Sequence, residues 1–221
     1  MIVKKYVNNE LVWFVFNLSF IVIYQMILLF MVSTPAYILL LASNLGMPMT
    51  WVDTMAPRFI LALVLLEYMA DQQQWSYQSA KKSYKSTAKV PVGFTQEDLD
   101  RGFIVSGLWT WCRHPNFACE QAIWLTLYQW SNVLTDSWYN WTVVGVIGYI
   151  LIFQGSTWLT ELITAGKYPE YKEYQARVNR FLPTWSSELP GDKKKDPWST
   201  EGLGGNSTAK KVNAAGAKKK A

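Results

Sequence analysis

The chain is poor in the residues that build metal centres and disulfide frameworks. Its 221 residues include one histidine, His114, and two cysteines. Cys112 and Cys119 form neither a CxxC pair nor a disulfide pattern, so both read as free thiols in a reducing compartment. A lone histidine with no cysteine or carboxylate cluster at ligand spacing argues against a metal site. Charge is missing over a long stretch, because Leu11 to Ala42 carries no Asp, Glu, Lys or Arg. The loop around Asn132 to Asn140 has no basic residue. No small-residue cleavage site follows the opening MIVKKYVNNE, and the next apolar run is too long for a signal core. That run is expected to stay as a membrane span.

What is present points to a membrane. Half of the chain is hydrophobic, 15% is aromatic, and the 12 tryptophans suit aromatic belts at membrane–water interfaces. As a helix, Leu11–Ala42 would extend about 48 Å against a hydrocarbon core of about 30 Å. It is expected to tilt and to kink near Pro35. Further spans are predicted from Pro57 through FILALVLLEYMADQQQWSY, from Phe117 to Leu134, and from Trp141 to Leu159. Four spans place every one of the 21 lysines and arginines except Arg58 on one side. By the positive-inside rule that side is the cytosol and holds both termini. The expected fold is all-α: a polytopic membrane helix bundle of about four transmembrane helices, with a short amphipathic cytosolic helix. Residues 1–183 form the bundle, and the Gly-, Ser-, Lys- and Ala-rich residues 184–221 form a disordered basic tail. Asn206-Ser-Thr in that tail would never meet the glycosylation machinery, and Asn140-Trp-Thr lies too close to the membrane to be an acceptor. The C-terminal KKKA resembles the dilysine retrieval signal of endoplasmic-reticulum membrane proteins, which implies coat proteins as partners. A generic basic tail drawn to anionic lipid is the competing reading. Nothing in the chain points to nucleic acid.

Polar residues inside spans are expensive and therefore informative. Glu67 and Asp71 lie one turn apart, and each would cost about 2.5–3.5 kcal/mol at a lipid-exposed midplane. They are either a polar pocket wall or a helix end reaching the interface. The stretch WTWCRHPNFACEQAIW opens the third span. Pro115 suits the first turn of a helix, and His114 or Asn116 suits its cap. Arg113 stands just ahead of free backbone N–H groups, an arrangement that attracts phosphate, with Glu120 and Gln121 below it. An Arg/His interfacial anchor is the alternative. After the fourth span, Tyr168, Tyr171, Tyr174, Val178 and Phe181 recur at helical spacing among Lys172, Arg177 and Arg180. That helix either lies on the membrane or folds over a pocket.

Taken together, GLWTWCRHPNFACEQAIW and KYPEYKEYQARVNRFLP resemble the superfamily of steroid 5-alpha-reductases, sterol C14-reductases and isoprenylcysteine carboxyl methyltransferases. More closely, they resemble its uncharacterised, largely fungal and bacterial members of the steroid 5-alpha-reductase C-terminal domain type. The resemblance covers about residues 67–183. It implies a cofactor enclosed by the cytosolic half of the bundle and a lipid admitted from the membrane. By position it implies cofactor contacts from Asp71, Arg113, His114, Asn116, Glu120, Tyr168, Tyr171 and Arg180, with Lys81 a candidate partner for a 2′-phosphate. An acidic residue at 120 leans towards the reductases, hence NADPH rather than S-adenosylmethionine. The activity implied is reduction of a carbon–carbon double bond in a membrane lipid or sterol at the endoplasmic reticulum. Catalytic residues stay unassigned, because no Gln–Glu–Tyr group that would polarise a substrate is found upstream. A methyltransferase or a non-catalytic lipid-binding or assembly subunit on the same scaffold are the rivals.

Overall fold

The computed structural model describes residues 9–184, leaving aside the side chain of Ile21. Lys4, Lys5, the basic tail with its KKKA end and the Asn206 sequon lie outside the described residues. Within them all regular structure is helical. Helix α1 (Glu10–Phe16) continues through a π-helical stretch (Asn17–Tyr24) into α2 (Gln25–Asn44). Then follow α3 (Trp51–Thr87), α4 (Gln96–Arg101), a 3-10 turn (Gly107–Thr110), α5 (Pro115–Leu134), α6 (Val143–Lys167) and α7 (Tyr171–Arg177). By length and composition two helices could cross a membrane, Glu10–Asn44 and Val143–Lys167.

The expected irregularity at Pro35 is accommodated locally. Proline lacks the N–H that would bond to Met31, and the hydroxyl of the preceding Thr34 donates to that carbonyl instead, at 2.5 Å. Upstream, α1 buries no residue. Helix α5 is central and packs against α2, α3 and α6. Helix α2 also packs on α6, and the contact is close because α6 carries glycine there. A Cβ on Gly145 would lie 2.4 Å from the backbone of Met31, and one on Gly148 would lie 2.8 Å from Leu28. Small residues that let two backbones approach are a common device between apolar helices.

Helix α3 has 37 residues, so it runs about 55 Å, against about 30 Å for the 20 residues of α5. At its start the Thr50 N–H donates to Asp53 Oδ2 at 2.6 Å, and Trp130 of α5 donates to Asp53 Oδ1 at 2.7 Å. The start of α3 is thereby tied to the end of α5. Near that end Asn140 donates to Ser131 Oγ and Asn132 Oδ1 and accepts from the Thr142 N–H. At the opposite end, the extension of α3 carries residues 94–109 on a second small core. Tyr77, Ala80, Leu99, Ile104 and Trp109 are buried together. Tyr77 donates to Asp98 O at 2.9 Å, and Gln73 accepts from the Leu108 N–H at 2.9 Å. This platform and the start of α5 frame the site.

The Gly145 contact predicts that Gly145→Leu lowers stability by about 1–3 kcal/mol, because the α2 and α6 backbones must separate. Gly166→Ala, inside α6 with open space around it, should leave stability unchanged or raise it by up to about 1 kcal/mol. Tryptophan-fluorescence melts of the two variants in detergent check this.

Candidate functional site

A carboxylate that sequence reasoning passed over organises the site. Glu161 lies in the last third of α6 and is only 2% exposed. Arg113 grips it with two bonds, Nε to Oε1 at 2.7 Å and Nη2 to Oε2 at 3.1 Å. His114 Nε2 lies 3.0 Å from Oε1, Gln175 Nε2 donates to Oε2 at 3.1 Å, and Arg180 Nη2 lies 3.4 Å from Oε2. The remaining Arg113 nitrogen, Nη1, donates to Gln175 O at 2.9 Å and to Val178 O. Such a two-pronged guanidinium–carboxylate bond is strong and directional. Its effect is to clasp residues 168–184 onto the mouth of α5. The backbone follows suit, with Arg113 N–H to Asn179 O at 2.9 Å, His114 N–H to Arg180 O at 3.1 Å and Thr184 N–H to Trp111 O at 2.7 Å.

Helix α7 packs on the end of the bundle with Tyr171, Tyr174 and Val178 buried. Of its two expected settings, the structure thus favours the one folded over a pocket. Burial pushes the Tyr171 and Tyr174 phenols well above their usual range. The Tyr174 hydroxyl instead donates to Trp109 O, which joins α7 to the platform on α3. Burial also pushes the Cys112 thiol up to about 11, so it is inert at neutral pH.

Beneath this strap lies a cleft of about 460 Å³. Helix α3 contributes Gln74, Gln78 and Lys81, and the platform contributes Gly102, Phe103, Ile104 and Trp109. The start of α5 adds Arg113, His114, Asn116 and Phe117, and the end of α6 with the strap adds Thr160, Thr164, Lys167, Tyr168 and Tyr171. Six of the nine residues singled out in the sequence therefore line one cleft: Lys81, Arg113, His114, Asn116, Tyr168 and Tyr171. The other three are not part of its lining. Asp71 accepts from Asn116 Nδ2 at 2.9 Å, which fixes the Asn116 amide. Arg180 serves Glu161. Glu120 accepts from Trp124 Nε1 at 2.8 Å and from the Tyr149 hydroxyl at 2.7 Å, deeper between α5 and α6.

Two local expectations change. Arg113 does not hold its guanidinium out towards a phosphate, since Glu161 and two carbonyls of the strap take it up. His114 occupies the cap position before Pro115, but its ring turns to Glu161 and makes no capping bond. At the outer end of the cleft, Lys81 Nζ donates to the Tyr168 hydroxyl at 2.9 Å and to Gly102 O. Lys81 and Lys167 stand 4.9 and 5.2 Å from the centre of the Tyr168 ring. Burial opposes ionisation of the Tyr168 phenol, but the two ammonium groups outweigh it and hold the phenol below its usual range.

The fold and cleft define an all-helical bundle with two helices of membrane-spanning length and, at one end, a largely apolar and aromatic pocket with several cations in its lining. The chain belongs to the family described as a protein of unknown function (DUF1295), whose model matches residues 2–178. It is similar to an uncharacterised protein of Schizosaccharomyces pombe, 41% identical over 170 residues, covering 76% of this chain and 49% of that relative. The chain thus spans about half the length of that relative. No solved structure matches it.

Removing one partner of a buried ion pair costs about 3–5 kcal/mol. Glu161→Gln should therefore loosen the strap and speed tryptic cleavage after Lys172, Arg177 and Arg180. Limited proteolysis followed by mass spectrometry checks this. Cleavage rates equal to wild type would mean that the carboxylate does not hold the strap.

Proposed function

We propose that this chain is an NADPH-dependent reductase of a carbon–carbon double bond in a membrane lipid or sterol. The observation that supports it is the convergence of Lys81, Arg113, His114, Asn116, Tyr168 and Tyr171 on one cleft from three separate parts of the chain. The lining fits a nucleotide in kind. Cations offer donors, the Asn116 amide, its nitrogen turned to Asp71, offers an unpartnered acceptor oxygen, and Phe103, Trp109 and Tyr171 offer apolar and aromatic surface. The cofactor would supply the hydride, and the chain's own residues would grip and orient it.

In this reading α3 and α5 complete a bundle of four spans with α1–α2 and α6, and the basic end of the bundle faces the cytosol of an endoplasmic-reticulum membrane. The many large apolar side chains exposed on α2, α3 and α6 suit contact with lipid. A second reading is favoured by one specific observation. Arg113, His114 and Arg180 all attend to Glu161, as they would in a non-catalytic lipid-binding subunit whose former site had become a structural clasp.

Titration of the purified protein in detergent with NADPH and, separately, with S-adenosylmethionine decides among the readings. NADPH should bind in the micromolar range and S-adenosylmethionine far more weakly. Asn116→Ala should weaken NADPH about tenfold by removing a placed hydrogen bond. Glu120→Ala, outside the lining, should change it less. Preference for S-adenosylmethionine would make the chain a methyltransferase, and binding of neither would leave the subunit reading.

A further inference from the structure

We propose that Lys81, Lys167 and Tyr168 form a phosphoester subsite at the outer end of the cleft. The inference rests on the nucleotide reading only for what fills the rest of the pocket. Four arginines of the described residues have carboxylate partners, and what sets two of the lysines apart is that they share one aromatic ring. Arg113 and Arg180 share Glu161, Arg101 meets Glu97 and Asp98, and Arg177 meets Glu173. Lys81 and Lys167, by contrast, converge on a single phenol ring with no carboxylate partner among the described residues. Like charges gathered in one place repel, and an anion held between them removes the repulsion.

The cluster is built rather than casual. The Tyr168 ring packs against Gly102, whose φ of +85° suits glycine and where a Cβ would stand 2.2 Å from Tyr168 Cε1. Lys81 is anchored by Gly102 O and by the phenol oxygen, which leaves one of its three N–H bonds free. Because the phenol oxygen accepts from Lys81, its own O–H is free to donate elsewhere. Lys167 adds a second ammonium. Three donors on three side chains match the three terminal oxygens of a phosphate monoester, and charge-assisted bonds to such oxygens are strong. Arg113, the residue that sequence spacing offers for this task, is occupied by Glu161.

Such a phosphate belongs either to a soluble nucleotide or to a phospholipid headgroup, and one experiment separates them. The full chain in uncharged detergent is titrated with adenosine 2′,5′-bisphosphate, with adenosine, and with dihexanoyl phosphatidic acid. The bisphosphate is expected to bind and adenosine to bind at least about tenfold more weakly. Lys81→Met and Lys167→Met should each cost the bisphosphate about tenfold or more, while Lys82→Met, outside the cleft, should not. Lys167 is exposed, so its variant keeps the test valid even if Lys81→Met folds poorly. In the Lys167 variant the tyrosinate absorbance of Tyr168 should also appear at higher pH than in wild type. Equal binding of bisphosphate and adenosine, or no loss in the Lys167 variant, would overturn the subsite. Lysine-dependent binding of phosphatidic acid without the bisphosphate would keep the subsite and end the nucleotide reading. NADPH binding that ignores both lysines would do the reverse.

Discussion

Everything at the basic end of this protein depends on one buried carboxylate. An unpaired Glu161 on an otherwise apolar helix would be expensive to bury. The chain meets that constraint with Arg113, His114, Gln175 and Arg180, drawn from the mouth of α5 and from the strap. Because these partners come from segments far apart in sequence, satisfying one charge fixes three pieces of structure at once. The end of α6, the start of α5 and α7 cannot be moved separately without leaving charge unmatched in a poorly solvated place. The cleft is the space left between them and the long α3.

The same charge arithmetic divides the cleft into two regions. Its inner wall is locked, with Arg113 and His114 turned to Glu161, which also meets Arg180, and with Asn116 held by Asp71. Its outer rim carries Lys81 and Lys167 around Tyr168, positive and with no carboxylate partner among the described residues. A pocket with a rigid interior and an unneutralised rim is suited to a ligand with an anionic end. Membership of the DUF1295 family gives the chain relatives but no chemistry, so the functional reading stands on this geometry.

Much of the scaffold was legible because cost leaves a trace in sequence. The uncharged run from Leu11, the helix start at Pro115 and the aromatic spacing from Tyr168 each announced an element that the structure contains. Pooling the residues of two distant motifs into one cleft was also legible through resemblance. Glu161 was not, although a signal existed. A carboxylate in the run GSTWLTELITAG is as costly as Glu67 or Asp71, yet it fell just past the expected end of the fourth span at Leu159. With α6 continuing to Lys167, the same residue becomes a buried charge that demands partners. The role of Arg113 changed for the same reason, since its partner lies 48 residues downstream and no local pattern joins the two. The fixed position of Tyr168 against Gly102 was equally hidden, because only the fold reveals which ring a glycine must admit.

Hydrogen exchange of the detergent-solubilised chain with and without saturating NADPH tests the central claim most directly. The account predicts slowed exchange confined to the cleft, at residues 111–117, 160–168 and 171–181, with the opposite end around Asn140 unchanged. No protection at those segments, or protection spread evenly along the helices, would contradict it.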